Sequence, residues 1–207
     1  MLRNNYRQAM ALSLAESGSV ATMDEHERLM RRLEAEGRLD RSLEFLPDDE
    51  ELMERRQRGS VFTRPELSVL ISYAKIELKQ VLLTTPIVHD HRFARALYSA
   101  FPASLLEHFP EAIDGHPLRA EIVATQIAND IVNRMGISWA DKIRNATGAD
   151  CGRIAAAYLI SLQIHDVETQ WEASEGLDGR IGPDVQAELF GDIIRLVTRS
   201  TSWLLNA

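Results

Sequence analysis

The chain has 207 residues, a formal net charge of −8 at pH 7, 45% apolar residues and a single cysteine, Cys151. That length buries about 70% of the unfolded surface, so folding needs no staple, and one cysteine excludes an internal disulfide. The acidic balance disfavours nucleic acid, whose nonspecific affinity comes from basic surface releasing counterions, and no run approaches the roughly 18 apolar residues of a membrane span.

Residues 1–16 carry polar and basic side chains throughout, with no apolar block ahead of a small-residue cleavage site. They do not read as a signal peptide, and with a lone thiol the expected location is cytoplasmic. Thr22 and Glu25 are spaced as a capping box for a helix whose inner face carries Leu29 and Leu33 and which ends before Gly37. Asp48 is placed to cap a helix ending near Gly59, with Arg55, Arg56 and Arg58 in its last turn, where solvated cations oppose the negative end of the helix dipole. The acids Asp48, Asp49, Glu50 and Glu51 complement the positive end of the same helix. Residues 59–62 are the expected boundary between a small N-terminal helical lobe, 1–60, and a main bundle, 61–207, although one continuous domain is compatible with the pattern.

The second half of the pattern is clearer. Leu67, Leu70, Ile71, Ala74, Leu78, Val81 and Leu82 recur at three- and four-residue steps, which predicts a helix over 65–83, opened by a Thr63/Glu66 capping box and closed by Thr84, Thr85 and Pro86. Shorter helices are expected over 89–100, 138–146, 150–163 and 166–175, and Phe101-Pro102 and Phe109-Pro110 form corners because a residue before proline avoids helical geometry. Residues 118–135 form another long helix, with Val123, Ile127, Ile131 and Met135 on one ladder, Ala124, Ala128 and Val132 beside it, and Gly136 at the end. A third runs over 183–205, with Val185, Leu189, Ile193, Leu196, Val197 and Leu204 as the expected buried face. No alternating β-branched run occurs, so the predicted class is all-α, a multi-helix bundle.

Few residues stand in patterns that chemistry requires. Gly176, Gly179 and Gly182 imitate a phosphate-binding turn, but no hydrophobic strand precedes them, and they read as an interhelical loop. His89 and His91 lack further ligands at a zinc spacing. In His165-Asp166 the carboxylate is better placed as an N-cap than as the orienter of a base, and Cys151, at a helix start, has no base beside it. No catalytic, cofactor-binding or metal residue is therefore expected. One group resists a plain solvated reading: Gln126, Asn129, Asp130 and Asn133 stand at i, i+3, i+4 and i+7, a polar stripe opposite the apolar ladder. Asparagine costs roughly 0.6 kcal/mol against alanine inside a helix, so two of them one turn apart suggest specific hydrogen bonds, either within the domain or in docking to other domains. Ser68, Ser72, Lys75 and Lys79 form a second polar face, ordinary for a solvated helix.

Two segments carry a family resemblance: 63–79, which begins Thr63-Arg64-Pro65-Glu66-Leu67-Ser68-Val69-Leu70, and 124–136, which begins Ala124-Thr125-Gln126-Ile127-Ala128-Asn129-Asp130. Together with Leu2-Arg3-Asn4-Asn5-Tyr6-Arg7-Gln8, Arg38-Leu39-Asp40-Arg41-Ser42-Leu43-Glu44-Phe45-Leu46-Pro47 and Trp203-Leu204-Leu205, they resemble the C-terminal helical region of the large bacterial NAD-specific glutamate dehydrogenases. The resemblance implies a parent that converts L-glutamate and NAD to 2-oxoglutarate, ammonia and NADH, with its catalytic and NAD-binding segments upstream of this chain. The domain itself would then be structural, assembling or regulatory. Its implied partners are the upstream dehydrogenase domains and further copies in a homo-oligomer, with no nucleic acid and no membrane. The alternatives are a free-standing helical adaptor for a protein partner, or a small-molecule-binding regulator with a concave, polar-lined pocket.

Overall fold

The computed structural model describes residues 2–16 and 20–207, and no strand occurs among them. In chain order the helices are α1 (Leu2–Glu16), α2 (Val20–Ala35), α3 (Asp49–Arg58), α4 (Arg64–Leu83), α5 (Ala94–Tyr98), α6 (Ala103–His108), α7 (Pro110–Asp114), α8 (Arg119–Met135), α9 (Trp139–Thr147), α10 (Cys151–Ile164), α11 (Val167–Glu175) and α12 (Pro183–Asn206). The predicted all-α class is the observed one. The chain divides into two compact units, one formed by residues up to Glu77 with Val132–Trp139, the other by Leu78–Ile131 with Ala140–Ala207. The 59–62 connection, expected to part the lobe 1–60 from the bundle 61–207, lies inside the first unit, where Phe62 is buried.

In the first unit, Leu29 and Leu33 are buried as their spacing requires, with Met23, Met30, Leu52, Leu67, Leu70 and Ile71. The Thr22/Glu25 capping box does not form. Helix α2 is already running at Val20, so Thr22 is interior, and the Glu25 carboxylate accepts instead from the Ser138 hydroxyl at 2.9 Å. Asp48 caps α3 by accepting from the Glu51 N–H at 2.9 Å, and Gly59, at φ 68°, closes the helix in the left-handed region where glycine carries no Cβ penalty. At the start of α4 the Thr63 N–H donates to the Glu66 carboxylate at 2.7 Å, the backbone half of the predicted capping box.

In the second unit, α4 ends where the Thr84 and Thr85 hydroxyls donate to the carbonyls of Val81 and Leu82, ahead of Pro86. Residues 89–100 are not one helix. Asp90 accepts from the Arg92 N–H at 2.9 Å and resets the chain between two 3₁₀ turns, leaving only α5 helical. Pro102 and Pro110 stand at the starts of α6 and α7 as the Phe-Pro corners predict. The ladder of α8 is buried along Val123, Ala124, Ile127, Ala128 and Ile131.

Helix α12 corrects the expected register. Its buried stripe is Gln186, Phe190, Ile193, Val197 and Thr201, so Ile193 and Val197 are buried as expected, whereas Val185, Leu189 and Leu196 are exposed. Two polar side chains occupy this stripe because each finds a partner. The Gln186 amide donates to the Ser174 carbonyl at 2.9 Å, and Thr201 meets the Ser161 hydroxyl of α10 at 3.3 Å. An apolarity pattern read alone rotates the helix away from this solution.

Candidate functional site

The stripe on α8 resolves into members with different surroundings. Gln126 and Asn129 are half-buried. The Asp130 carboxylate accepts from the phenol of Tyr158, a fully buried residue of α10, at 2.9 Å, so it satisfies a hydroxyl that burial would otherwise strand. Asn133 is 3% exposed. The structure thus keeps the four residues on one helix and commits Asp130 to an interhelical bond, and Gln126 and Asn129 keep more accessible surface than Asn133. On α4, Ser68 and Ser72 return their hydroxyls to the Arg64 and Ser68 carbonyls at 2.9 Å each.

Cys151 is buried at the first position of α10, behind an Asp150 cap that accepts from the Arg153 N–H at 3.0 Å. His89 and His91 are exposed on either side of Asp90, and among the described residues no group of three His, Cys, Asp or Glu side chains is arranged to hold a metal ion. Asp166 precedes α11 at φ 46°, a left-handed geometry in which its carboxylate makes no cap bond, which corrects its expected role. The Gln170 amide instead donates to the His165 carbonyl at 2.6 Å. Gly179, at φ 70°, turns the loop between α11 and α12.

A dense arginine–carboxylate network occupies the first unit. Arg56 pairs with Asp24 at 2.8 Å and with Glu27, and Glu27 binds Arg31 at 2.8 Å. Arg31 reaches Asp49 at 3.1 Å, Asp49 binds Arg41 at 2.7 Å, and Arg41 binds Glu34 at 2.7 Å. Arg55 forks onto Glu66 with two bonds of 2.7 and 2.8 Å, and Arg32 forks onto the buried Glu77. The basic triplet expected to be solvated therefore splits. Arg58 binds its neighbour Glu54 on the same helix, while Arg55 and Arg56 bind carboxylates of other helices. Arg41 holds the exposed Asp49 below the usual carboxylate range, and the hydrogen bonds it donates to Glu34 and Asp49 raise the Arg41 guanidinium. The intrahelical members, Glu27–Arg31 and Glu51–Arg55, are legible as i, i+4 pairs. The long-range pairs leave no such sequence signal.

Lys75 is the group that pattern reading placed least well. Burial pushes its ammonium down to about 8, and its Nζ reaches the Gln8 side-chain oxygen at 3.3 Å. Lowering an ammonium by desolvation destabilises the fold wherever the group stays charged, which here is below about 8. As pH rises from about 8 toward the unfolded value of 10.5, the native state has already released the proton that the unfolded chain still holds, so stability rises across that window. Lys75→Met is expected to stabilise the protein at pH 7 by about 1–2 kcal/mol, after discounting for partial exposure. It should also flatten the rise from pH 8 to 10.5 in urea melts. Equal stability of the two proteins at pH 7 would refute this assignment.

A shallow recess in the first unit, lined by Met23, His26, Phe62 and Leu67, leaves no room even for a water molecule, so it is no small-molecule site. No helix among the described residues is long and apolar enough to cross a membrane.

Comparison with known proteins places these features in a family context. A family model described as "Glutamate dehydrogenase, C-terminal" matches residues 59–207. The chain is 45% identical over 207 residues to the NAD-specific glutamate dehydrogenase of Pseudomonas aeruginosa, covering 100% of this chain and 13% of that protein. For the enzyme of the same description from Halomonas elongata the figures are 43% over 205 residues, with 99% and 13% covered. For that of Mycobacterium tuberculosis they are 31% over 206 residues, with 100% and 13% covered. The chain thus spans about an eighth of the length of the relatives it matches.

Proposed function

The chain belongs to the glutamate dehydrogenase C-terminal family, and from that premise we propose that it is a non-catalytic helical domain of an NAD-specific glutamate dehydrogenase. The parent oxidises L-glutamate to 2-oxoglutarate and ammonia with hydride passing to NAD, in the cytoplasm, through residues outside this chain. The observation that carries the reading is identity running through all of this chain yet only 13% of each relative. The internal bonding of the chain supports it. Asp130 is committed to Tyr158, Glu66 to Arg55 and Glu77 to Arg32, so these buried or half-buried carboxylates hold helices together.

The role of the domain is to present surface to the dehydrogenase domains of the same chain, and Gln126 and Asn129, both half-buried, are the stripe members assigned to that docking. Asp130 fixes the helix through Tyr158, and Asn133 is buried. Asn129→Ala is expected to leave this chain as stable or slightly more so, because alanine is the better helix former. In a parent enzyme the same change lowers assembly or activity, because a buried partner left unsatisfied costs roughly 1–3 kcal/mol.

The deciding experiment on the purified chain is isothermal calorimetry with NAD, together with NADH absorbance in the presence of L-glutamate. No heat of binding and no NADH are expected. A micromolar dissociation constant, about −8 kcal/mol, requires a real dinucleotide site and would reject the non-catalytic reading.

A further inference from the structure

Helix α12 presents an apolar seam to solvent. Val185 is 53% exposed, Leu189 and Leu196 are each 36% exposed, and Trp203 is 69% exposed. At 3.6 residues per turn these four positions fall within an arc of about 40° and extend over about 27 Å of helix. Leu189, Leu196 and Trp203 repeat every seven residues, the spacing of a seam that packs against another helix.

The charges beside the seam say what covers it. Asp184, Glu188 and Asp192 are exposed in the N-terminal half of α12, and Arg195 and Arg199 are exposed in the C-terminal half. All five lie on the same flank of the seam, since the opposite flank turns into the buried Gln186, Ile193 and Val197. A face that is acidic at one end and basic at the other complements itself when a second copy runs the opposite way. An antiparallel two-fold pairing also brings the two charged flanks to the same side, whereas a parallel pairing sets each charged flank against the other flank of its partner. Two-fold interfaces use one self-complementary patch on both copies.

We infer that this chain forms an antiparallel two-fold dimer through α12. In the register that matches the charges, Val185 of one copy comes level with Trp203 of the second, and Glu188 and Asp192 come level with Arg199 and Arg195. Asp192 also pairs with Arg195 of its own helix, a contact that exchanges for the intermolecular one on association. Complementary charge of this kind sets register and orientation, while the apolar seam supplies the affinity. The inference stands independently of the reaction assigned to the parent, because self-association requires neither NAD nor glutamate.

Sedimentation equilibrium of the purified chain tests it. A dimer is expected, and Leu196→Glu with Trp203→Glu should weaken it at least 100-fold while leaving the circular dichroism of the monomer unchanged, because both side chains are exposed. Met53→Glu, an exposed apolar position in the other unit, should leave association unchanged. The double reversal Glu188→Arg with Asp192→Arg should weaken the dimer at least tenfold. Adding Arg195→Glu and Arg199→Glu to that variant should restore it to within about threefold. That four-fold variant should pair with itself and fail to mix with the wild type, since an antiparallel hybrid sets acid against acid and base against base. A wild-type monomer at 100-fold the concentration used for the spectra, a dimer indifferent to the seam variants, or free mixing of wild type with the four-fold variant would each overturn the inference.

Discussion

Glu66→Ala is expected to cost about 3–5 kcal/mol, because removing one member of a buried ion pair leaves the other charge uncompensated. Glu66 is 9% exposed, forks onto Arg55 with bonds of 2.7 and 2.8 Å, and accepts the Thr63 N–H at 2.7 Å. The alanine variant therefore strands the Arg55 guanidinium and loses an N-terminal bond of α4. Burial raises the Glu66 carboxyl, but the bonds from Arg55 and Thr63 outweigh it and hold the group below its ordinary 4.5. A carboxyl depressed in the native state contributes stability that is complete above the unfolded value and lost as pH falls through the native one. Urea melts of the wild type and Glu66→Gln should accordingly differ most at neutral pH and converge as pH falls below 4.5 and through the depressed native value. A constant difference across that range would show that the charge of Glu66 contributes nothing.

Phe190→Ala should be comparably severe, about 3–5 kcal/mol, with thermal melting lowered by roughly 2–4 °C per kcal/mol in a protein of this size. Phe190 is fully buried on α12 with its ring 4.7 Å from that of Trp171 on α11, so truncation opens a cavity and removes an aromatic contact. Leu189→Ala, one residue earlier, is expected to change the stability of the monomer by less than about 1 kcal/mol, since exposed positions contribute little. The pair decides the rotation of α12 directly. If Leu189 proved the costlier site, the helix would face the core as its apolar residues alone suggested.

That contrast shows where sequence reading stops. The period of 3.6 along 65–83 and 118–135 specified two long helices and their inner faces correctly, because each combines many apolar positions with end signals, Pro65 and Gly136, whose backbone preferences act locally. Asp48 and the two Phe-Pro corners were legible for the same reason. Helix α12 carries apolar residues on two adjacent sectors, and pattern alone cannot tell which one meets the core and which is left for a partner. Gln186 and Thr201 look misplaced in the buried sector until Ser174 and Ser161 are seen opposite them.

The candidate site divides in the same way. The i, i+3, i+4, i+7 spacing by itself put Gln126, Asn129, Asp130 and Asn133 on one face, and helical geometry guarantees that much. Whether such a residue points to solvent or binds a neighbour depends on chains far away in sequence: Tyr158 for Asp130, Gln8 for Lys75, Asp24 for Arg56. By itself the sequence determined the all-helical class, the positions of the long helices and the caps at Asp48 and Glu66, all of which follow from interactions within about four residues. Only the tertiary structure decided the rotation of α12, the partners of the buried charges and the division into units at Glu77 and Leu78. Those outcomes are set by which polar groups find one another once distant helices pack, and no local period records that.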